Sequence, residues 1–197
     1  MKPRLISFAG STVAVEYEGV RAAHIVEFLY QDQPDANTGT PHCTCRLVSD
    51  AKSDALLLYE EGEPAPRRFA SDGEAAAYLL DRTGYHLADR SQGGLLFHAA
   101  GVCWNQQGLL FPGRTGCGKS TLTLWLLSKG CHYLTDELIF VPTNGGEFHG
   151  FTRPINLKRT ARPLLAQLFD VERLRDQMIS SPQIDLIPPA LLGPHSP

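Results

Sequence analysis

The segment Gly113-Arg114-Thr115-Gly116-Cys117-Gly118-Lys119-Ser120 satisfies G-x-x-x-x-G-K-[ST] at every fixed position. These residue types suit one task, the cradling of a polyphosphate. Glycines let the chain curl until successive backbone N–H groups point inward at phosphate oxygens. A helix beginning near Lys119 adds the partial positive charge of its N-terminus. Lys119 has the reach for β- and γ-phosphates, Ser120 offers a hydroxyl to Mg²⁺, and Thr121 belongs with the same cofactor-binding turn. A chance glycine-rich turn is the competing reading, but it would have to set a lysine and a hydroxyl between an apolar run and an apolar helix. Read as a phosphate-binding loop (P-loop, or Walker A), the segment implies a bound nucleoside triphosphate. Cys117 inside it is either activated by the helix N-terminus or an inert small residue, the second being preferred.

Downstream of Ser120 the run Tyr133-Leu134-Thr135-Asp136-Glu137-Leu138 brings two adjacent carboxylates after a short apolar approach. Beside a Mg-nucleotide such a pair can divide the labour: one holds metal and the other accepts a proton from an attacking hydroxyl. A solvated pair at a strand end is the alternative. The chain contains neither the N-K-x-D mark of guanine recognition nor the L-S-G-G-Q signature of transporter ATPases.

Particular elements must position these groups. Leu95–Trp104 and Gly108–Phe111, split by Asn105-Gln106-Gln107, read as a hairpin whose second strand runs into the loop. Leu122, Trp125 and Leu126 recur on one face of the helix that follows, and Gly130 stops it. Tyr133–Thr135, Leu138–Val141 and Glu147–Phe151 read as strands. Helical signals lie at Pro163–Phe169 and Val171–Ile179, and the proline-rich stretch 181–197 reads as a tail with no closing element. Upstream, Leu5–Phe8 and Thr12–Tyr17 are strands around a turn, Ala22–Tyr30 has helical spacing, 31–41 is loop, and Cys43–Val48 and Ala55–Tyr59 are strands. Ser71 and Glu74 make a capping-box pattern for a helix to about Arg82, ending near Gly84. The expected organisation is α/β: a small α+β unit over 1–85, without a catalytic constellation, then a P-loop domain over 86–197.

Composition narrows the class. The chain has 197 residues, 43% hydrophobic and 20% charged, with net charge −3 from 18 basic and 21 acidic residues. No basic block is present, so a nucleic-acid partner is not expected. No apolar run approaches the roughly 18 residues of a membrane span, and no signal-peptide core follows Met1. The expected compartment is the cytoplasm, where Cys43, Cys45, Cys103, Cys117 and Cys131 stay free thiols. Cys43-x-Cys45 invites a metal reading, but with no second pair and only scattered histidines such as His42, plain strand residues are preferred.

Leu96-Phe97-His98-Ala99-Ala100, the hairpin into Gly113–Ser120, the helix ending at Lys129-Gly130, and Leu134-Thr135-Asp136-Glu137 come in an order that resembles HPr kinase/phosphorylase. The match looks closer still to HPr-kinase-related proteins of peptide-modification gene clusters. Arg153-Pro154-Ile155-Asn156-Leu157-Lys158 is similar to their R-P-x-x-L-K segment, and the likeness spans about residues 94–160. It implies the fold of phosphoenolpyruvate carboxykinase, with a mixed sheet carrying the P-loop, and an ATP- and Mg²⁺-dependent kinase acting on serine of a protein or peptide. By position, Asp136 would be the catalytic base and Glu137 the metal-binding acid. His98 would assist proton transfer near the phosphate or simply be packed. Arg153 and Lys158 would stabilise phosphate charge or merely be solvated. Glu137 stands where the bifunctional enzymes have aspartate, so reverse phosphorylase activity is not expected. Ile184–Gly193 reads as the opening of a further segment, as in a C-terminally shortened homologue. A nucleotide-binding regulatory or adaptor module and a small-molecule kinase are the alternative functions; a homo-oligomer is compatible with each.

Overall fold

The computed structural model describes residues 3–34, 39–50 and 53–193. It is mixed α/β, mostly β, with three sheets. The chain divides into two units, 1–93 and 94–197.

In the first unit β1 (Arg4–Phe8) and β2 (Ser11–Glu18) form a hairpin whose turn takes Ala9 and Gly10 to positive φ. The stripe Ala22, Ile25, Val26 and Leu29 is buried along α1 (Val20–Tyr30), at the spacing of an amphipathic helix. This helix carries the chain to β3 (Cys43–Asp50), which pairs parallel with β2. Antiparallel β4 (Ala55–Glu60) and β5 (Arg67–Phe69) complete the order β1-β2-β3-β4-β5. The Ser71 hydroxyl accepts from the Glu74 N–H at 3.2 Å and opens α2 (Asp72–Asp89). Both helices pack on β2 and β3 and on each other, and the Tyr30 and Thr83 hydroxyls share a buried hydrogen bond of 2.7 Å. The loop expected over 31–41 lies partly outside the described residues.

In the second unit β6 (Gly94–Trp104) and β7 (Gln107–Pro112) are joined by Asn105 and Gln106, with φ of 49° and 63°. Two positive-φ residues make the tight turn that matches strand twist. After β7 and the glycine-rich loop comes α3 (Lys119–Ser128). Next, β8 (His132–Thr135) and β9 (Leu138–Pro142) lie end to end along the edge of β6 away from β7. The register shifts between Gly101 and Val102, where Leu134 is an extra residue on the opposing strand. Two-residue β10 (His149–Gly150) pairs with β9. A separate sheet holds β11 (Ile155–Lys158), β12 (Ile179–Ser180) and β13 (Ile184–Ile187), with β13 central. Short helices α4 (Arg162–Leu168) and α5 (Val171–Arg175) close on α3, and Leu124, Leu127, Tyr133, Ile155, Leu157, Leu165, Leu174 and Ile187 form their common core.

Several expectations are corrected. Helix α2 passes through Gly84 to Asp89, because Gly84 sits on the buried stripe with Leu80 and Leu87 and packs instead of stopping the helix. The unit boundary accordingly falls at Gly93/Gly94, later than 85/86. On α3 the inward face is Thr123, Leu124 and Leu127, while Leu122 and Trp125 are exposed. A helix apolar on nearly every side does not announce its inner face, and the α4–α5 side decides it. The strand expected over Glu147–Phe151 shrinks to His149–Gly150, and the second C-terminal helix ends at Arg175. The stretch after 181 does hold a closing element: Ile184–Ile187 pairs on both edges. Among the described residues no helix is long and apolar enough to cross a membrane.

Candidate active site

Strand β7 delivers the chain at Pro112 into the loop 113–118. Gly116 and Gly118 hold φ of 84° and 95°, conformations that other residues adopt only with strain. A Cβ on Gly113 would stand 2.6 Å from Cys117 Sγ, so the loop wraps closely on itself. The Lys119 ammonium donates to the Gly113 carbonyl at 2.8 Å, with a longer contact to the Arg114 carbonyl at 3.4 Å, and so lies across the loop that precedes it. Arg114, Thr115, Gly116, Cys117, Gly118 and Thr121 are exposed.

From the first turn of α3, the Ser120 hydroxyl donates to Asp136 Oδ2 at 3.3 Å, across 16 residues of chain. Asp136 is 3% exposed, a costly place for a carboxylate unless its lone pairs are satisfied. They are. Oδ2 also accepts from the Asn156 N–H at 3.2 Å, and Oδ1 accepts from the Tyr133 hydroxyl at 3.2 Å. Arg153 Nε stands 3.6 Å from Oδ1, and both partners are about 2% exposed at their side chains. Burying an ion pair costs desolvation of both charges, and surrounding hydrogen bonds make it sustainable. Tyr133 shares its one proton with the Arg153 carbonyl at 3.0 Å. Burial first, then the Asp136 charge, pushes the Tyr133 hydroxyl well above the usual tyrosine value, so it remains a neutral donor.

Glu137 turns the other way. Its carboxylate is 35% exposed, with Oε1 at 3.3 Å from His98 Nε2 and Oε2 at 3.6 Å from the Arg153 guanidinium. Arg153 therefore reaches both acids. The bend that carries them, between β8 and β9, is pinned by Thr135, whose hydroxyl donates to the Phe151 carbonyl at 2.8 Å and accepts from the Glu137 N–H at 3.2 Å. The Glu137 carbonyl accepts from the Ala99 N–H at 3.0 Å, which ties the acids to β6 one residue past His98.

Of the residues expected from sequence, Ser120, Asp136, Glu137, His98 and Arg153 are brought together, while Lys119, next to Ser120 in the chain, is turned onto the carbonyls of the loop. Lys158 is exposed at the end of β11, outside this set of contacts. Tyr133, Thr135 and the Asn156 N–H were not anticipated. The only available signal was their place within the Tyr133–Glu137 run and next to Arg153-Pro154, which reads equally well as ordinary strand. Ser120 Oγ and Asp136 Oδ2 are hard oxygen donors close together, the kind of set that Mg²⁺ takes. The fold and site thus define a mixed α/β chain in which a glycine-rich loop adjoins a buried, arginine-paired acidic centre. Comparison with protein-family models, with curated proteins and with solved structures gives no match.

Proposed function

We propose that the chain is an ATP-dependent, Mg²⁺-requiring phosphotransferase of the HPr-kinase-like type, built on a phosphoenolpyruvate carboxykinase-like P-loop fold. Its acceptor is a hydroxyl, serine on a protein or peptide. The observation that carries this reading is the Ser120–Asp136 hydrogen bond: the motif's metal-binding hydroxyl meets an acid that packing has buried and held in place.

In this reading the backbone of Gly113–Gly118 and the Lys119 ammonium hold the triphosphate, Lys119 exchanging the Gly113 carbonyl for phosphate oxygen. Ser120 and Asp136 would hold Mg²⁺, which supplies charge neutralisation at the phosphate oxygens. The engagement of both Asp136 oxygens supports giving it the metal side. The half-exposed Glu137, paired with His98, supports giving it the acceptor side. These roles exchange the ones implied by resemblance. Glu137 takes the acceptor's proton, directly or with His98. The acceptor oxygen bonds to the γ-phosphorus, the bond to the β–γ bridging oxygen breaks, and ADP leaves with that electron pair. Arg153 restrains both carboxylates from one buried position.

The test is incubation of the full chain with labelled ATP, Mg²⁺ and the peptides encoded beside its gene, together with calorimetry of ATP binding. Labelled phosphopeptide from the wild type and none from Lys119→Ala supports the proposal. Label in a small hydroxyl compound alone redirects it to a small-molecule kinase. ATP binding with no transfer leaves an adaptor module, and absence of ATP binding ends the reading.

A further inference from the structure

The first unit contains a second chemical cluster that the phosphotransfer reading does not use. Cys43 and Cys45, two residues apart on β3, face the same side of the sheet and are 5% and 0% exposed. His86 comes from the last turn of α2. The two sulfurs and an imidazole nitrogen all lie within 4.8 Å of one another. A tetrahedral ion about 2.3 Å from sulfur and about 2.0 Å from nitrogen separates its ligand atoms by about 3.5 Å, so a modest contraction closes this set.

The surroundings match what such an ion requires. Glu60 Oε1 stands 2.8 Å from His86 Nε2, leaving Nδ1 as the nitrogen with a free lone pair. A carboxylate behind the imidazole is the usual way a metal-binding histidine is oriented. Glu60, 7% exposed at its side chain, is itself held by the Arg82 guanidinium, with Nε donating at 2.9 and 3.0 Å. Charge also balances: Glu60 and Arg82 cancel, and two thiolates would cancel a divalent cation. Apolar packing alone explains buried thiols. It gives no reason for an imidazole, oriented by a buried carboxylate, to meet both of them. A second imidazole, His42, lies against the same turn, its Nε2 at 3.2 Å from the His86 carbonyl and its ring 6.3 Å from that of His86.

We propose that Cys43, Cys45 and His86 form a three-ligand site for Zn²⁺, with the fourth position taken by water or by His42. Sulfur with imidazole is the donor set that favours this ion over Mg²⁺. The site ties the sheet to the end of α2 and stabilises the first unit when metal is bound.

The experiment uses the full chain, reduced and stripped of metal, titrated with Co²⁺ and then Zn²⁺. One equivalent of Co²⁺ should give thiolate-to-metal charge-transfer absorption that Zn²⁺ abolishes, and Zn²⁺ should raise the thermal midpoint. Cys43→Ser/Cys45→Ser should lose both responses and Cys117→Ser neither. Circular dichroism checks the fold. If the double variant does not fold, Cys43→Ala, at the strand end, replaces it. Glu60→Gln should weaken affinity by about tenfold to a hundredfold. Absence of stoichiometric binding to the wild type overturns the site, as does binding that persists unchanged in a folded cysteine variant.

Discussion

The Ser120 hydroxyl and the Asp136 carboxylate are joined at 3.3 Å, and that contact links the first turn of α3 to the bend between β8 and β9. Both partners are fixed from behind. Ser120 stands on a helix whose Leu124 and Leu127 are buried, while Asp136 is held by Tyr133 and the Asn156 N–H. The next residue, Glu137, is left half-exposed with His98. The two acids of one dipeptide thus have different environments, and different environments permit different roles.

Asp136→Asn and Glu137→Gln should therefore separate. Asp136→Asn is expected to weaken Mg²⁺-dependent ATP binding by about tenfold or more, the scale of a lost charged ligand. Glu137→Gln should leave ATP affinity nearly unchanged and lower the transfer rate by about a hundredfold or more. Calorimetry and single-turnover kinetics read the two quantities independently. The reverse pattern would restore the roles implied by family resemblance.

Tyr133→Phe removes the hydroxyl shared by Asp136 Oδ1 and the Arg153 carbonyl, with the ring left in the core. A loss of about 1–3 kcal/mol is expected from leaving buried acceptors short of a donor. Urea unfolding measures it. Transfer activity at saturating Mg²⁺ should fall while ATP affinity falls less, since Ser120 and Lys119 are untouched. An unchanged unfolding midpoint would show that water replaces the hydroxyl.

Ile187→Ala tests whether the stretch after 181 belongs to the folded unit. Ile187 is fully buried in the core with Tyr133, Ile155 and Leu174, on a strand paired at both edges. Truncation there should cost about 2–5 kcal/mol. A peripheral tail would lose almost nothing in the same denaturant titration.

Acid sensitivity should trace in part to Asp185. Burial alone would raise this carboxyl, but hydrogen bonds from Arg162 and Ser180, with the Arg162 charge, outweigh it and hold the group below its ordinary value. A folded value below the unfolded one means stability that is fully present above the unfolded value of about 4. It is lost as pH falls through the lower, folded value. Asp185→Asn should be less stable than the wild type at neutral pH and show a shallower loss below about pH 4. Parallel acid titrations of the two proteins, followed by circular dichroism, decide the matter; identical slopes count against the assignment.

Local pattern made much of the scaffold legible. The spacing of Ala22, Ile25, Val26 and Leu29, the Ser71–Glu74 cap, and the strand texture flanking Gly113–Ser120 all report on neighbours within a turn or a hairpin. Such signals are carried by side-chain periodicity and backbone preference, which act over a few residues. Where a residue's role depended on distant packing, local pattern misled: Gly84 packs instead of terminating, Leu122 and Trp125 face outward, and Ile184–Ile187 is a central strand.

The candidate site shows the same division. Residue type and short spacing were enough to mark out the glycines, lysine and hydroxyl of the loop, the adjacent acids, and the availability of His98 and Arg153. The burial of Asp136 against Ser120, the turn of Glu137 toward His98, the reach of Arg153 to both, and the convergence of Cys43, Cys45 and His86 emerge only once the chain is packed. Those facts depend on sheet register and on which helix face is covered. Both are set by the burial of apolar surface from residues far apart in the chain.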